Sequence, residues 1–131
     1  MTGRLGAVSL IVPDYDEAIA FFRDGLGFVV SADIDQGRKR WVTVEPPGGG
    51  TRLVLAQADG DQVAGIGAQG FGRVWLFYET DDFDHDAARL VAAGAVFEEA
   101  PRVEVYGKVA VWRDPWGNRW DLIQPAAAQS V

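Results

Sequence analysis

The sequence predicts an α+β fold built from two βαβββ modules, and two internal matches predict it. Val8 to Phe28 (VSLIVPDYDEAIAFFRDGLGF) runs through an alternating strand, an acidic turn, an amphipathic helix and a Leu-Gly-Phe exit. Val74 to Phe97 (VWLFYETDDFDHDAARLVAAGAVF) repeats that series. Glu45 to Gln57 then matches Arg113 to Gln124, with Arg52, Leu55 and Gln57 falling on Arg119, Leu122 and Gln124. The copies lie about half the chain apart, the mark of a duplicated unit rather than of chance strands. Each module is expected to be a curved mixed sheet with its helix on the convex face, and the pair to enclose a central cavity.

The first strand, Leu5 to Val12, sets Val8, Leu10 and Val12 against Ala7, Ser9 and Ile11. Pro13 ends it because it has no N–H for a ladder. Asp14, followed three residues later by Glu17, is a capping-box-like helix start, and Ala18, Ile19, Phe21, Phe22 and Leu26 recur at helical spacing up to Gly25 or Gly27. Phe28 to Ile34 and Arg40 to Val44 are strands around the turn-prone Asp35-Gln36-Gly37. After the Pro46 to Gly50 loop, Thr51 to Gln57 completes module 1, about residues 5–57. Asp59 to Phe71 shows no period and reads as part of a linker, about 58–71.

Module 2, about 72–124, repeats the order. Arg73 to Glu79 is its first strand, Phe83 to Ala93 its helix, and Val96 to Val103, Lys108 to Trp112 and Arg119 to Ile123 its remaining strands. Asp114 to Asn118 is a strong turn, with Trp116 packing nearby. Pro125 to Val131 reads as a frayed tail. The whole chain, 1–131, is expected to be one domain, because its 131 residues match one compact core of two halves.

A hydrophobic content of 48% fits a folded soluble chain, and a net charge of −7 disfavours nucleic acid and anionic membrane surfaces as partners. The absence of cysteine removes disulfides, thiolate catalysis and Cys-based zinc sites. With no apolar run of membrane-spanning length and no signal-peptide pattern at Met1 to Gly6, a cytoplasmic location is expected.

The stretches VPDYDEAIAFFRDGLGF, ETDDFDHDAARLVAAGAVF and VWRDPWGNRWDLIQ resemble the vicinal oxygen chelate superfamily over nearly the whole chain. That superfamily includes glyoxalase I, extradiol dioxygenases and bleomycin-resistance proteins. The resemblance implies the two-module fold and an isologous homodimer. In metal-using members, His or Glu ligands come from the first and last strand of each module. The matching positions here are Ala7, Val54, Arg73 and Asp121, and only Asp121 can coordinate a cation. Arg73 brings fixed positive charge where an ion would sit. No cofactor is therefore expected, the alternative being a divalent metal with atypical ligands.

Arg73 and Asp121 are expected on adjacent strands, with Arg73 either pairing with Asp121 or presenting donors to an anionic ligand. Arg73, Trp75 and Phe77 form a candidate binding stripe, a cation beside aromatic faces, unless ordinary packing fills it. Tyr106 stands at the expected cavity mouth as a hydrogen-bond donor, or as a bare turn residue. His85, among Asp82, Asp84 and Asp86, reads as a solvated helix residue. Gly48-Gly49-Gly50 lacks the following Lys of a phosphate loop. The favoured expectation is a metal-free protein binding a small aromatic or anionic molecule in the inter-module cavity. Against it stand a divalent-metal lyase, isomerase or dioxygenase, a metal-free enzyme using Arg73 as electrophile and Asp121 as base, and an interaction module with its cavity packed shut. Whether any reaction is catalysed stays open at this level.

Overall fold

The computed structural model describes residues 1–126, which divide into two compact units, Met1–Ile66 and the described residues from Gly67 onward. The first contains β1 (Ala7–Val12), α1 (Tyr15–Leu26), β2 (Val29–Asp35), β3 (Arg40–Glu45) and β4 (Arg52–Gln57), followed by a 3₁₀ turn (Gly60–Gly65) within the segment expected to be a linker. Its sheet runs β1-β4-β3-β2, with β1 and β4 parallel and the other pairs antiparallel. The Asp14 carboxylate accepts from the Glu17 N–H at 2.8 Å, satisfying a donor that the first helical turn leaves without a partner. Gly27, at φ 70°, closes α1 in the left-handed conformation that glycine adopts without penalty.

One face of this sheet and one face of α1 form the core. Leu10, Val12, Val42, Val44, Leu53 and Leu55 are buried, as are Ala18, Phe22 and Leu26 of the helix. Alternation then fixes the other face. The register sets Ser9 beside Val54 and Val54 beside Thr43, and the Thr43 hydroxyl shares a 2.6 Å hydrogen bond with that of Ser31.

The second unit contains β5 (Val74–Glu79), α2 (Phe83–Ala93), β6 (Val96–Phe97), β7 (Arg102–Glu104), β8 (Gly107–Arg113) and β9 (Arg119–Pro125). Its sheet runs β5-β9-β8-β6, with β7 also pairing with β8, and β5 and β9 are parallel. Asp82 caps α2 through the His85 N–H at 3.2 Å, and Gly94 ends it at φ 113°. Trp112 and Trp120 stack at 4.9 Å in a core shared with Phe83, Leu90 and Leu122. His85 is exposed on α2.

Two side-chain details repeat between the units and support the duplication. Arg52 Nε donates to the Gly6 carbonyl at 3.4 Å, and Arg119 Nη1 donates to the Gly72 carbonyl at 2.9 Å. Gln57 Nε2 donates to the Pro13 carbonyl, and Gln124 Oε1 accepts from the Phe83 N–H. In each unit the last strand is thereby tied to the helix entry.

Several predicted boundaries move. The first strand starts at Ala7, since Leu5 and Gly6 spend their carbonyls on Thr51 Oγ1 and the Arg52 N–H. The single strand expected from Val96 to Val103 is two short ones. Glu99 Oε2 accepts from the Val111 N–H at 2.8 Å, so a side chain takes a ladder donor and the strand breaks. Pro125, assigned to the tail, ends β9 opposite Gly107, where its missing N–H leaves no gap because Ala126 donates to the Tyr106 carbonyl. The rest of the predicted tail, 127–131, lies outside the described residues.

Candidate functional site

Along β9, Trp120 and Leu122 are buried while Arg119, Asp121 and Ile123 occupy the opposite face of the second sheet. The register places Asp121 between Phe77 on β5 and Val111 on β8. Asp121 Oδ1 is buried and, among the described residues, has no hydrogen-bond partner. Burial pushes this carboxyl above the ordinary aspartate range; Arg102 and Arg119 pull it down and Glu99 pushes it further up.

The cations nearby are committed elsewhere. Arg119 forks onto Glu98 at 2.8 and 3.0 Å, and Arg113 reaches the same carboxylate at 2.9 Å. Arg102 is held by Glu99 at 2.8 Å and by Glu104 at 3.0 Å. These hydrogen bonds lower the Glu98 and Glu99 carboxyls below their usual range, chiefly through Arg119 and Arg102 respectively. Exposed pairs of this kind contribute little stability each, but they fix where the charges stand.

The predicted site residues are only partly brought together. Arg73 is not on a strand. It lies in an exposed bend before β5, its N–H donating to the Gly70 carbonyl, and no ion pair joins it to Asp121. The ladder ends where Val74 meets Arg119, so position 73 falls one residue beyond the sheet. Trp75 sits in a register shift between Val74 and Leu76, which breaks the alternation that put it in one stripe with Phe77. Phe77 is paired with Asp121 and exposed. Tyr106 belongs to the two-residue turn between β7 and β8 and is exposed.

The first unit carries a pocket of about 860 Å³ that the sequence reading did not single out. Ser9, Trp41, Val54 and Ala56 line it along the sheet, and Arg38, Lys39, Gln57 and Gln62 line its rim. The signal in the sequence is the run Arg38-Lys39-Arg40-Trp41, three consecutive cations and an indole in an acidic chain. What placed these residues in a pocket was the fold of the hairpin.

Of the four positions matched to metal ligands, Ala7 and Val54 lack donor atoms and Arg73 lies outside the sheet. Among the described residues no group of three or more His, Cys, Asp or Glu side chains is placed to hold an ion. The residues present do not fit the metal centre that the resemblance would imply.

Asp121 gives a pH test. A carboxyl raised by folding is protonated in both states at low pH and costs nothing there. As pH rises past its unfolded value and through the raised folded value, stability is lost. Asp121→Asn is therefore expected to unfold slightly above the parent at pH 7, a gain kept small because the group is only partly buried and solvent screens its charge. The gap should close near pH 3 as the parent's carboxyl protonates. Thermal unfolding of both proteins across this range checks it, and a gap independent of pH would refute the assignment.

No helix among the described residues is long and apolar enough to cross a membrane. The family model of the Glyoxalase/Bleomycin resistance protein/Dioxygenase superfamily matches residues 4–122. An uncharacterised protein of Shewanella frigidimarina is 46% identical over 121 residues, covering 89% of this chain and 90% of that protein. Among solved structures, TnmS3, an antibiotic binding protein from Streptomyces sp. CB03234, aligns at TM-score 0.75 and 32% identity, covering 96% of this chain and 98% of its own. UcmS2 aligns at TM-score 0.77 and 31% identity over 94% of this chain and 98% of its own. With two repeated sheet-and-helix units and a family match across nearly all the described residues, the chain belongs to the Glyoxalase/Bleomycin resistance protein/Dioxygenase superfamily.

Proposed function

We propose that this protein is a metal-free binder of a small organic molecule, aromatic or anionic, acting in the cytoplasm as a homodimer. The observation that carries the reading is the pocket of about 860 Å³, a volume suited to a drug-sized ligand, with Trp41, Val54 and Ala56 along the sheet and a largely polar and charged lining around them. The similarity to TnmS3, an antibiotic binding protein, supports it at 32% identity. The donor-poor positions Ala7 and Val54 support the metal-free part. Within the second unit, Phe77, Trp75, Tyr106, Arg73 and Asp121 remain proposed ligand-binding residues.

A thermal-shift screen against aromatic acids, glycopeptide-type drugs and thiol conjugates tests the binding. A ligand at 100 times its Kd should stabilise the fold by about 2.7 kcal/mol, a shift of several degrees. If no compound in any class raises Tm, the binding reading fails. One observation favours a second reading, a divalent-metal enzyme with atypical ligands: the buried Asp121 Oδ1 without a partner is an oxygen that a cation could use. Stoichiometric Ni, Zn, Fe or Mn in protein purified without chelators would replace the first reading with this one.

A further inference from the structure

The hairpin joining β2 to β3 is held rigidly against α1. Gln36 N–H donates to the Lys39 carbonyl at 2.8 Å, and the Asp35 carboxylate accepts from the Gly37 N–H at 2.8 Å. Gly37 supplies the φ of 89° that the turn needs. Arg40 then clamps the hairpin. Its guanidinium forks onto Asp33 at 3.1 and 2.7 Å, reaches Asp16 at 3.0 Å and lies 5.1 Å over the Tyr15 ring. The Arg40 N–H donates to the Tyr15 hydroxyl at 3.2 Å.

This arrangement divides the three consecutive cations. Arg40 is neutralised by two carboxylates, whereas Arg38 and Lys39 are exposed, line the pocket and have no ion pair among the described residues. Asp59 is the acidic residue of the lining, and Asp35 is occupied in the turn. Along the same pocket Trp41 is 42% exposed, an indole left open on the sheet beside Val54 and Ala56. Gln57 and Gln62 each spend one amide atom, on the Pro13 carbonyl and the Asp59 N–H respectively. Their other amide atoms supply neutral hydrogen bonding at the rim.

We propose that this pocket takes a planar aromatic anion, its ring on Trp41 and its carboxylate, sulfonate or phosphate between Arg38 and Lys39. The inference rests on the small-molecule reading above and makes the ligand both aromatic and anionic, with a defined orientation. An uncharged flat molecule would leave two cations without a partner. A small inorganic anion would leave Trp41 in water. The hairpin's hydrogen bonds fix the backbone that carries both cations, so less ordering cost falls on binding.

The test compares 2-naphthoate with its neutral amide, 2-naphthamide, by calorimetric titration at low salt. The parent should bind the carboxylate about tenfold more tightly, the scale of two partly exposed charge contacts, and the preference should shrink at high salt. Arg38→Gln combined with Lys39→Gln should bring the carboxylate's affinity down to that of the amide in the same variant, with Tm unchanged since both side chains are exposed. Trp41→Ala should weaken both compounds. Equal affinity of the parent for the two compounds, or a preference that survives in the double variant, overturns the anion assignment and leaves the binding reading intact. Binding of neither compound also overturns it, while the wider thermal-shift screen alone decides whether the protein binds any small molecule.

Discussion

Asp114→Ala is expected to destabilise the protein by about 4 kcal/mol. Asp114 is 4% exposed and its two oxygens serve five donors. Oδ1 accepts from the N–H groups of Trp116, Gly117 and Asn118 at 3.1, 2.9 and 2.9 Å. Oδ2 accepts from Asn118 Nδ2 at 3.0 Å and Trp120 Nε1 at 3.1 Å. Burial raises this carboxyl's pKa despite those donors, so the charge is held at a cost and the donors offset it.

Removing the carboxylate takes away the acceptor of the Asn118 N–H, the Asn118 side-chain amide and the Trp120 indole N–H beside the Trp112–Trp120 stack. The expected result is a fall in Tm of the order of 10 °C or more, measured by thermal unfolding with indole fluorescence as the probe. Asp114→Asn keeps an acceptor and should recover part of the loss. An alanine variant within 2 or 3 °C of the parent would mean that water or a shifted backbone replaces the carboxylate.

Gly67→Ala is expected to cost about 3 kcal/mol or more, in a segment where the sequence shows only a linker. Gly67 has φ 71°, and a Cβ there would stand 1.8 Å from the Trp116 carbonyl oxygen and 2.6 Å from its carbon. Both atoms are backbone, so no rotamer relieves the clash. The adjoining chain is tied to the same turn, with the Gln69 N–H donating to Asn118 Oδ1 at 3.3 Å. Gly72→Ala is the control. Gly72 has φ 85° but open space around it, so alanine there should cost only the left-handed strain, about 1 kcal/mol. Chemical denaturation of both variants checks the contrast, and equal costs would show that backbone conformation, not contact with Trp116, governs the site.

Both results bear on the candidate site because Arg119 and Asp121 follow directly from this turn. If the turn loosens, the start of β9 loses its anchor, and with it the Arg119–Glu98 fork.

By itself the sequence determined the order of elements, the duplication and the helix ends. Those follow from local periods and from caps such as Asp14 and Gly27, which act within a few residues of chain. The resemblance also placed Asp121 on the last strand, where the structure has it. Only the tertiary structure decided what surrounds it. The register shift at Trp75 breaks a stripe that strict alternation predicts, and the turn donating Arg73's N–H to Gly70 keeps that cation off the strand. Glu99 ends a strand by bonding a backbone group on β8, a partner that no local pattern names. The pocket in the first unit arises likewise, since Arg40 is spent on Asp16 and Asp33 while its neighbours Arg38 and Lys39 are left to line the rim. The physical reason is range: propensity and periodicity act between near neighbours, whereas pairing of charges and closing of a cavity depend on segments that meet only after folding.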